Sequence, residues 1–304
     1  MSRDIDGLTF RRPSSEDLDK AAAVFGAEEQ AVRGHVTMGA DEMRDWWRLF
    51  NLDDGSWLVE DGNGRAVGFC GALELGDEHN CWIAVHPEYQ GRGLSSELLG
   101  RAERRARAVG ARSLKAGMLA GNERARTLLE SRSFAEVRRF YRMQIDFDRP
   151  PPAPDQVEGI TIATFRAEDA RVFHSTMNEG FADDWGFVPQ TFDEWKLRRL
   201  EAPETDTSLW FIAWDGAEAA GVIRCEAEKF GGGFVGALAV RKPWRGRGIG
   251  MALLRHAFAE FHRRDAPRVS LGVDAYNPSG ATRLYERAGM SVVSEDVIFE
   301  KALE

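Results

Sequence analysis

Apolar and polar residues follow the same order twice along the chain. Each half begins with a short apolar strand, continues into an amphipathic helical segment, and then has two strands joined by a turn that contains Asp and Gly. A short apolar strand, a glycine-rich turn, an amphipathic helix, a strand and a second helix follow, before a final pair of strands. The predicted segments of the first half are Leu8–Arg12, Trp57–Leu75, Cys81–Val85, Ser95–Val109, Ser113–Met118 and Asn122–Ser131. Those of the second half are Ile160–Phe165, Leu209–Glu228, Phe234–Val240, Gly250–Arg263, Val269–Asp274 and Ser279–Arg287.

The repetition extends to individual residues around the glycine-rich turns. "VHPEYQGRGLSSELL" begins at Val85, and "VRKPWRGRGIGMALL" begins at Val240. The long period indicates a duplicated domain, because solenoid repeats are far shorter. A proline-rich stretch without an apolar pattern separates the copies and reads as a semi-rigid linker. We therefore predict an N-terminal domain at 1–148, a linker at 149–158 and a C-terminal domain at 159–304.

The order of elements predicts a mixed α/β fold for each copy. A strand, a crossover helix and a strand make the fourth and fifth strands parallel. The earlier strands are joined by tight turns, so they are antiparallel. We expect two tandem domains, each with a mixed sheet of six to seven strands flanked by helices.

Composition narrows the functional classes. The chain has 304 residues and a net charge of −9, which disfavours binding to a nucleic-acid backbone. Its three cysteines form no CxxC pair, which suits a reducing compartment, and we expect a cytoplasmic protein. The start of the chain lacks the apolar region of a signal peptide, and no apolar run reaches the length of a membrane span. Histidines lack metal spacing and GxSxG is absent, so we assign no metal and no covalent nucleophile.

The glycine-rich turn between a strand and a helix predicts a pyrophosphate site. Backbone N–H groups at a helix N-terminus attract anions, and glycines let the phosphate approach closely. Neither the P-loop nor the Rossmann pattern fits "RGRGIG". The predicted contacts in the second copy are Arg245, Gly246, Arg247, Gly248, Ile249 and Gly250. Those in the first copy are Gln90, Gly91, Arg92, Gly93 and Ser95.

The second half resembles the GNAT superfamily of acyl-CoA-dependent N-acetyltransferases over nearly its full length. The resemblance rests on the apolar strand, "RGRGIG", the helix, the next strand and "NPSGATRLYERAGM". The first half resembles the superfamily more weakly, and the tandem pair resembles its two-domain members. The resemblance implies that acetyl-CoA is the co-substrate and that its pantetheine arm pairs with the fourth strand, with Leu238 and Val240 as backbone contacts. It also implies that Tyr285 lies near the departing sulfur.

The residues leave several roles open. Asn277 is either a helix cap or a coenzyme contact. Glu226 and Glu228 share one face of a strand, so one of them either points into the acceptor cleft as the base or lies on a solvated face. Trp185, Phe187 and Trp195 either line the acceptor pocket or belong to the core. Acidic side chains nearby favour a basic amine: Glu179, Asp183 and Asp184.

The first copy keeps the turn but has Leu129 where the second has Tyr285. We expect transfer to a small-molecule or peptide amine in the second half and a catalytically weak or inactive first half. The alternative is a non-enzymatic module that binds acyl-CoA as a regulatory ligand.

Overall fold

The computed structural model describes residues 5, 7–75, 78–154, 156–202, 205–277 and 279–303. The first half contains β1 (Leu8–Arg11), α1 (Leu18–Arg33), α2 (Ala40–Trp47), β2 (Trp57–Asp61), β3 (Ala66–Leu75), β4 (Glu78–Val85), α3 (Leu94–Ala108), β5 (Ser113–Leu119), α4 (Glu123–Ser131) and β6 (Ala135–Asp146). The second half contains β7 (Ile160–Thr164), α5 (Ala170–Phe181), α6 (Phe192–Trp195), β8 (Trp210–Asp215), β9 (Glu218–Lys229), β10 (Gly232–Val240), α7 (Ile249–Arg263), β11 (Arg268–Asp274), α8 (Ala281–Arg287) and β12 (Ser291–Ala302).

The chain forms two compact units, and the division between them does not fall at a single point in the sequence. One unit comprises residues 1–140 and 294–304, and the other comprises 141–293. The first sheet has the order β1-β2-β3-β4-β5 and is completed by β12, which pairs antiparallel with β5 from Asp296↔Leu119 to Ala302↔Ser113. The strands of the second unit have the order β7-β8-β9-β10-β11, and the part of β6 from Tyr141 onward follows β11. The predicted boundaries 1–148 and 159–304 differ from this division, because each unit takes its last strand from the other half of the sequence.

Both sheets are mixed, as the order of elements predicts. In the first unit β4 runs parallel to β5 and antiparallel to β3. In the second unit β10 runs parallel to β11 and antiparallel to β9. Helices cover both faces, because the strands are apolar on both sides. Side chains of α3 and α4 pack on one face of the first sheet and those of α1 and α2 on the other. In the second unit α7 and α8 cover one face, and α5 and α6 cover the other.

The parallel strand pair separates along its length in each unit. Pairing between β10 and β11 ends at Val235↔Leu271, and β10 continues to Val240. A register shift between Val235 and Ala237 puts Gly236 in a bulge of β10. A bulge re-aims the strand and interrupts its ladder, so the end of β10 is available for other partners. In the first unit pairing ends at Trp82↔Gly117, and β4 continues to Val85 without a register shift against β3.

Candidate active site

The turn before α7 depends on two glycines in the left-handed region. Gly246 has φ +80° and Gly248 has φ +85°, and a residue with a Cβ atom adopts this backbone conformation only with steric strain. Gly248 is the N-cap of α7, so the backbone N–H groups of Ile249 and Gly250 fall in the first helical turn. N–H groups of that turn have no partner within the helix and face the approach to its N-terminus. The turn therefore has the backbone geometry that a pyrophosphate site requires, and its role as that site stays a prediction.

Gly250 has a different reason for being small. It lies inside α7 and has no left-handed φ, and a Cβ there would lie 3.3 Å from Cδ2 of Leu284 on α8. Packing against α8, rather than backbone conformation, explains this glycine. The first copy has Ser95 at the same place, and it keeps the two conformationally required glycines, Gly91 with φ +78° and Gly93 with φ +87°.

The two arginines of the second turn are engaged with the protein. Arg245 donates to the backbone oxygens of Val240 at 3.1 Å and Gly180 at 2.8 Å, and it pairs with Asp183 at 3.3 Å. Arg247 donates to Asp215 at 2.9 Å. These contacts fix the shape of the turn and leave both cations beside it.

Leu238 and Val240 lie on β10 beyond the point where it leaves β11. They pair with Ile223 and Gly221 of β9, and both are half-buried. Strand β9 forms backbone hydrogen bonds with only one edge of β10. Among the described residues, the pairing of the other edge with β11 ends at Val235, and an extended ligand can pair with a strand edge of this kind, although the Val240 oxygen already accepts from Arg245.

Tyr285 is buried on α8, with 7% of its surface exposed, and it packs into the core of the second unit. Burial raises the pKa of its phenol well above 10, and the negative charge of Asp184 raises it further. The hydroxyl has no hydrogen-bond partner among the residues that the structure describes. A protonated donor is thus held on the helix that follows β11.

Asn277 joins the segment after α5 to the turn before α8. Its Nδ2 donates to Oδ2 of Asp184 at 3.4 Å, and its Oδ1 accepts from the N–H of Ser279 at 2.8 Å. The N-cap of α8 is Gly280, so Asn277 stabilises the preceding turn and does not cap the helix itself. Asp184 is half-buried, and burial raises the pKa of its carboxyl.

Glu226 lies beside the bulge of β10. A Cβ on Gly236 would lie 2.8 Å from its Oε1, so the carboxylate lies across this glycine. Arg224 donates to Glu226 at 2.8 Å and Lys229 contacts it at 3.5 Å. Glu228, the other residue of the predicted pair, is exposed. Glu226 is therefore near the cleft but held by two cations.

The three aromatic residues considered as walls of the acceptor pocket differ in burial. Trp195 is 2% exposed and stacks with Phe173, so it belongs to the core and not to a pocket wall. The pattern left both roles open, because an amphipathic helical stretch exposes some aromatic side chains and buries others. Phe187 stacks on Phe181, while Trp185 is 42% exposed.

The first unit has a cavity at the equivalent cleft. Its walls include Gln90, Gly91 and Ser95 from the turn, and Leu129 from α4. Leu129 is 5% exposed, so an apolar side chain fills the position of Tyr285. Arg92 stacks on Tyr89 and donates to the backbone oxygen of Glu88 at 3.1 Å.

Glu28 lines this cavity and was missed by reasoning from the sequence. It accepts a hydrogen bond from Asn122 at 3.1 Å, and the Val85 backbone also contributes one. Burial is the largest effect and raises the pKa of its carboxyl to about 8. A signal was present, because Glu28 follows Val24 and Phe25 at the spacing of the apolar face of α1.

The described residues contain neither a membrane-spanning helix nor a metal-binding cluster. No helix there has the length and apolar character needed to cross a membrane. No group of three or more His, Cys, Asp or Glu in those residues is arranged to hold a metal ion.

Comparison with known proteins identifies the two halves independently. A family model described as "Acetyltransferase (GNAT) family" matches residues 23–134 and 173–290. Mycothiol acetyltransferase of Thermobispora bispora is 30% identical over 251 residues, which cover 80% of this chain and 82% of that protein. The crystal structure of a GCN5-related N-acetyltransferase from Sphaerobacter thermophilus has a TM-score of 0.87 and 32% identity, covering 98% of this chain and 96% of that chain.

A tandem GNAT protein from the clavulanic acid biosynthesis pathway shares the fold. Its TM-score is 0.72 at 16% identity, and the match covers 97% of this chain and 98% of that chain. The prediction of two tandem GNAT-like domains with mixed sheets is thus confirmed. The organisation is similar to that of the mycothiol acetyltransferases.

Proposed function

The chain belongs to the GNAT family of acetyltransferases, and from this premise we propose that its second unit moves the acetyl group of acetyl-CoA directly to the nitrogen of an amine. The observation that carries the proposal is Tyr285, a buried phenol without a hydrogen-bond partner among the described residues. Tyr285 lies on α8, the helix that follows β11, the strand from which β10 separates. A protein that only binds the coenzyme has no need for such a proton donor.

The glycine-rich turn binds the pyrophosphate of the coenzyme. Gly246 and Gly248 give the turn its shape, and the N–H groups of Ile249 and Gly250 are donors to the phosphate oxygens. Arg245 and Arg247 contribute positive charge from the edge of the turn, although both are bonded to the protein. The pantetheine arm runs along the free edge of β10 and uses the main chain of Leu238 and Val240.

The reaction needs a polarised thioester, a neutral amine and a protonated leaving group. Main-chain donors near the bulge at Gly236 polarise the carbonyl. The nitrogen attacks the carbonyl carbon, and the C–S bond breaks in the following step. Tyr285 remains protonated at neutral pH because its pKa is raised, so it donates a hydrogen bond and then a proton to the departing sulfur. The sequence offers Glu226, beside Gly236, as an acceptor of the amine proton, but Arg224 and Lys229 already pair with its carboxylate.

The first unit retains the anion-binding turn and lacks the proton donor. Gln90, Gly91, Arg92, Gly93 and Ser95 stay candidates for coenzyme contacts, since Gly91 and Gly93 keep the left-handed geometry. Leu129 cannot donate a proton to sulfur. We assign the first unit a structural role in an enzyme whose turnover takes place in the second.

The co-substrate, acceptor and location belong to the same proposal. Acetyl-CoA is the acetyl donor, and a small-molecule amine is the acceptor, in line with the name of the curated relatives. Three buried, unpaired cysteines among the described residues support a cytoplasmic location.

The proposal is tested by incubating the purified chain with acetyl-CoA and a panel of small primary amines. Thiol release and the mass of the acetylated product are followed together. We expect release that depends on the amine and falls sharply in Tyr285→Phe, whereas Tyr141→Phe, which removes a phenol from the edge of the same core, retains it. Equal rates for Tyr285→Phe and the unmodified chain would overturn the assignment of the second unit.

A further inference from the structure

Asp183 and Asp184 are neighbours in sequence with different surroundings. Asp183 is exposed and paired with Lys242 at 2.8 Å and Arg245 at 3.3 Å. Asp184 is half-buried and has no ion pair among the residues that the structure describes. Within the described part of the chain, its side chain accepts a hydrogen bond from Asn277 at 3.4 Å, which is long for a bond to a carboxylate. A partly desolvated carboxylate that forms no ion pair with the described residues favours a cationic ligand.

The position of Asp184 relates it to the proton donor. Asn277 holds Asp184 against the turn that leads into α8, and α8 carries Tyr285. Asp184 is near enough for its charge to act on the phenol of Tyr285. Aromatic residues adjoin both partners in sequence: Trp185 is 42% exposed and Tyr276 is 53% exposed.

We propose that Asp184 binds the ammonium group of the acceptor and takes its first proton. This inference rests on the proposed function, and it names the substrate class as a primary amine that arrives positively charged. Asp184 accepts one proton from the ammonium, and the neutral nitrogen then forms the N–C bond as the C–S bond breaks. Tyr285 gives its proton to sulfur and is restored by the second proton of nitrogen. One proton passes from Asp184 to solvent in each turnover, so the atoms and charges balance.

The electrostatic surroundings of Asp184 suit both steps. Burial raises its pKa, as do the carboxylates of Asp274 and Asp183, while Arg245 and Asn277 oppose this. A base with a raised pKa holds the proton of an ammonium better than an ordinary carboxylate does. Glu226 differs, because Arg224 and Lys229 already neutralise it.

The experiment compares three isosteric variants: Asp184→Asn, Asp183→Asn and Glu226→Gln. For each, kcat/KM for the amine is measured across pH, and acetyl-CoA affinity is measured by calorimetry. We expect Asp184→Asn to lower kcat/KM about 100-fold and to abolish the acidic limb of its pH profile, with acetyl-CoA affinity unchanged within about twofold. Asp183→Asn retains the acidic limb. Asp184→Glu restores part of the rate, which a merely structural aspartate would not allow.

The outcomes separate this inference from the proposed function. If Tyr285→Phe impairs turnover while Asp184→Asn keeps the full rate and the acidic limb, the inference fails and the proposed function stands. If Glu226→Gln alone abolishes the limb, Glu226 is the base and Asp184 is not. If Tyr285→Phe has no effect either, the proposed function fails as well. Thermal melting of each variant identifies a loss of rate that comes from unfolding. If Asp184→Asn unfolds, the rate of Asp184→Glu decides, because a partly restored rate supports Asp184 as the base and the absence of any restored rate contradicts it.

Discussion

Asn122 donates a hydrogen bond to the buried carboxyl group of Glu28 at 3.1 Å, within the cleft of the first unit. Asn277, at the corresponding place in the second unit, instead donates to Asp184. Glu28 also receives a hydrogen bond from the backbone at Val85, the last residue of β4. Val85 corresponds to Val240, whose main chain we assign to the coenzyme. An internal side chain therefore uses the backbone group that a pantetheine arm would need in the first cleft.

Glu28 makes the stability of the first unit depend on pH. Its pKa in the folded chain is raised to about 8, above the ordinary value of 4.5, so the folded state holds a proton that the unfolded state has released. Stability is therefore greatest below the unfolded pKa and falls as pH rises toward 8. In the unmodified chain we expect the free energy of unfolding to fall by about 3 kcal/mol between pH 5.5 and 8.5, and we expect Glu28→Gln to remove this decrease. Urea unfolding at both values measures it, with the exposed Glu130→Gln as control. A parallel pH response in Glu28→Gln and the unmodified chain would assign the effect to other groups.

Tyr285→Phe separates transfer from coenzyme binding. The change removes only the hydroxyl from a buried ring, so the core keeps its packing. We expect kcat to fall about 100-fold, which is typical for loss of a general acid, while calorimetry gives the acetyl-CoA affinity of the unmodified chain. An equal loss of affinity would mean that the ring positions the coenzyme rather than protonating the thiolate.

The turn before α7 is tested by Gly248→Ala. A Cβ at φ +85° strains the backbone by about 1 kcal/mol and displaces the N–H groups that face the pyrophosphate. We expect acetyl-CoA affinity to fall at least tenfold. Gly231→Ala introduces a Cβ at φ +72° in another turn of the same unit, where nothing lies within 4 Å. It has the same strain, so an equal loss of affinity in both variants would assign the effect to general destabilisation.

The sequence predicts the elements well and their partners less well. The sequence predicts a final pair of strands in each half, whereas the structure has one long strand in its place, β6 in the first half and β12 in the second. The sequence of β6 and β12 does not specify which unit each strand completes. Both strands have the same length, and either could occupy the other's place with its inward-facing side chains still facing the core. The predicted boundary between the domains consequently follows the duplication, while the compact units do not.

In the candidate site too, the sequence predicts some features and leaves others undetermined. The glycine-rich turn is predicted from a short stretch with a definite spacing, and Tyr285 is predicted from the resemblance of "NPSGATRLYERAGM" to the GNAT pattern. The contact between Asp184 and Asn277 is not, because a nonperiodic segment brings together residues that are far apart in sequence. The charge of Arg245 and Arg247 predicts that they are phosphate ligands, and the structure adds protein partners that the sequence does not reveal.

The last prediction asks which unit performs turnover. Arg92→Ala with Gly93→Asp disrupts the first turn, where Gly93 has φ +87° and Arg92 stacks on Tyr89. Gly248→Asp makes the equivalent change in the second, where it adds a negative charge and a strained Cβ at the pyrophosphate position. We expect the first change to leave kcat within about twofold and the second to reduce kcat/KM for acetyl-CoA at least 100-fold, because an anion at a helix N-terminus excludes another anion there.

Leu129→Tyr completes this comparison in the first unit. We expect it to add no activity to a Gly248→Asp chain, since a phenol supplies a proton donor but Glu28 still holds the Val85 backbone. Thiol release by each variant is measured at saturating amine, after thermal melting has established that both units are folded. If the first-turn change stops turnover while Gly248→Asp does not, the active cleft is that of the first unit. Turnover by the Leu129→Tyr, Gly248→Asp chain would mean that Glu28 yields to the coenzyme, and that Leu129 alone keeps the first cleft inactive.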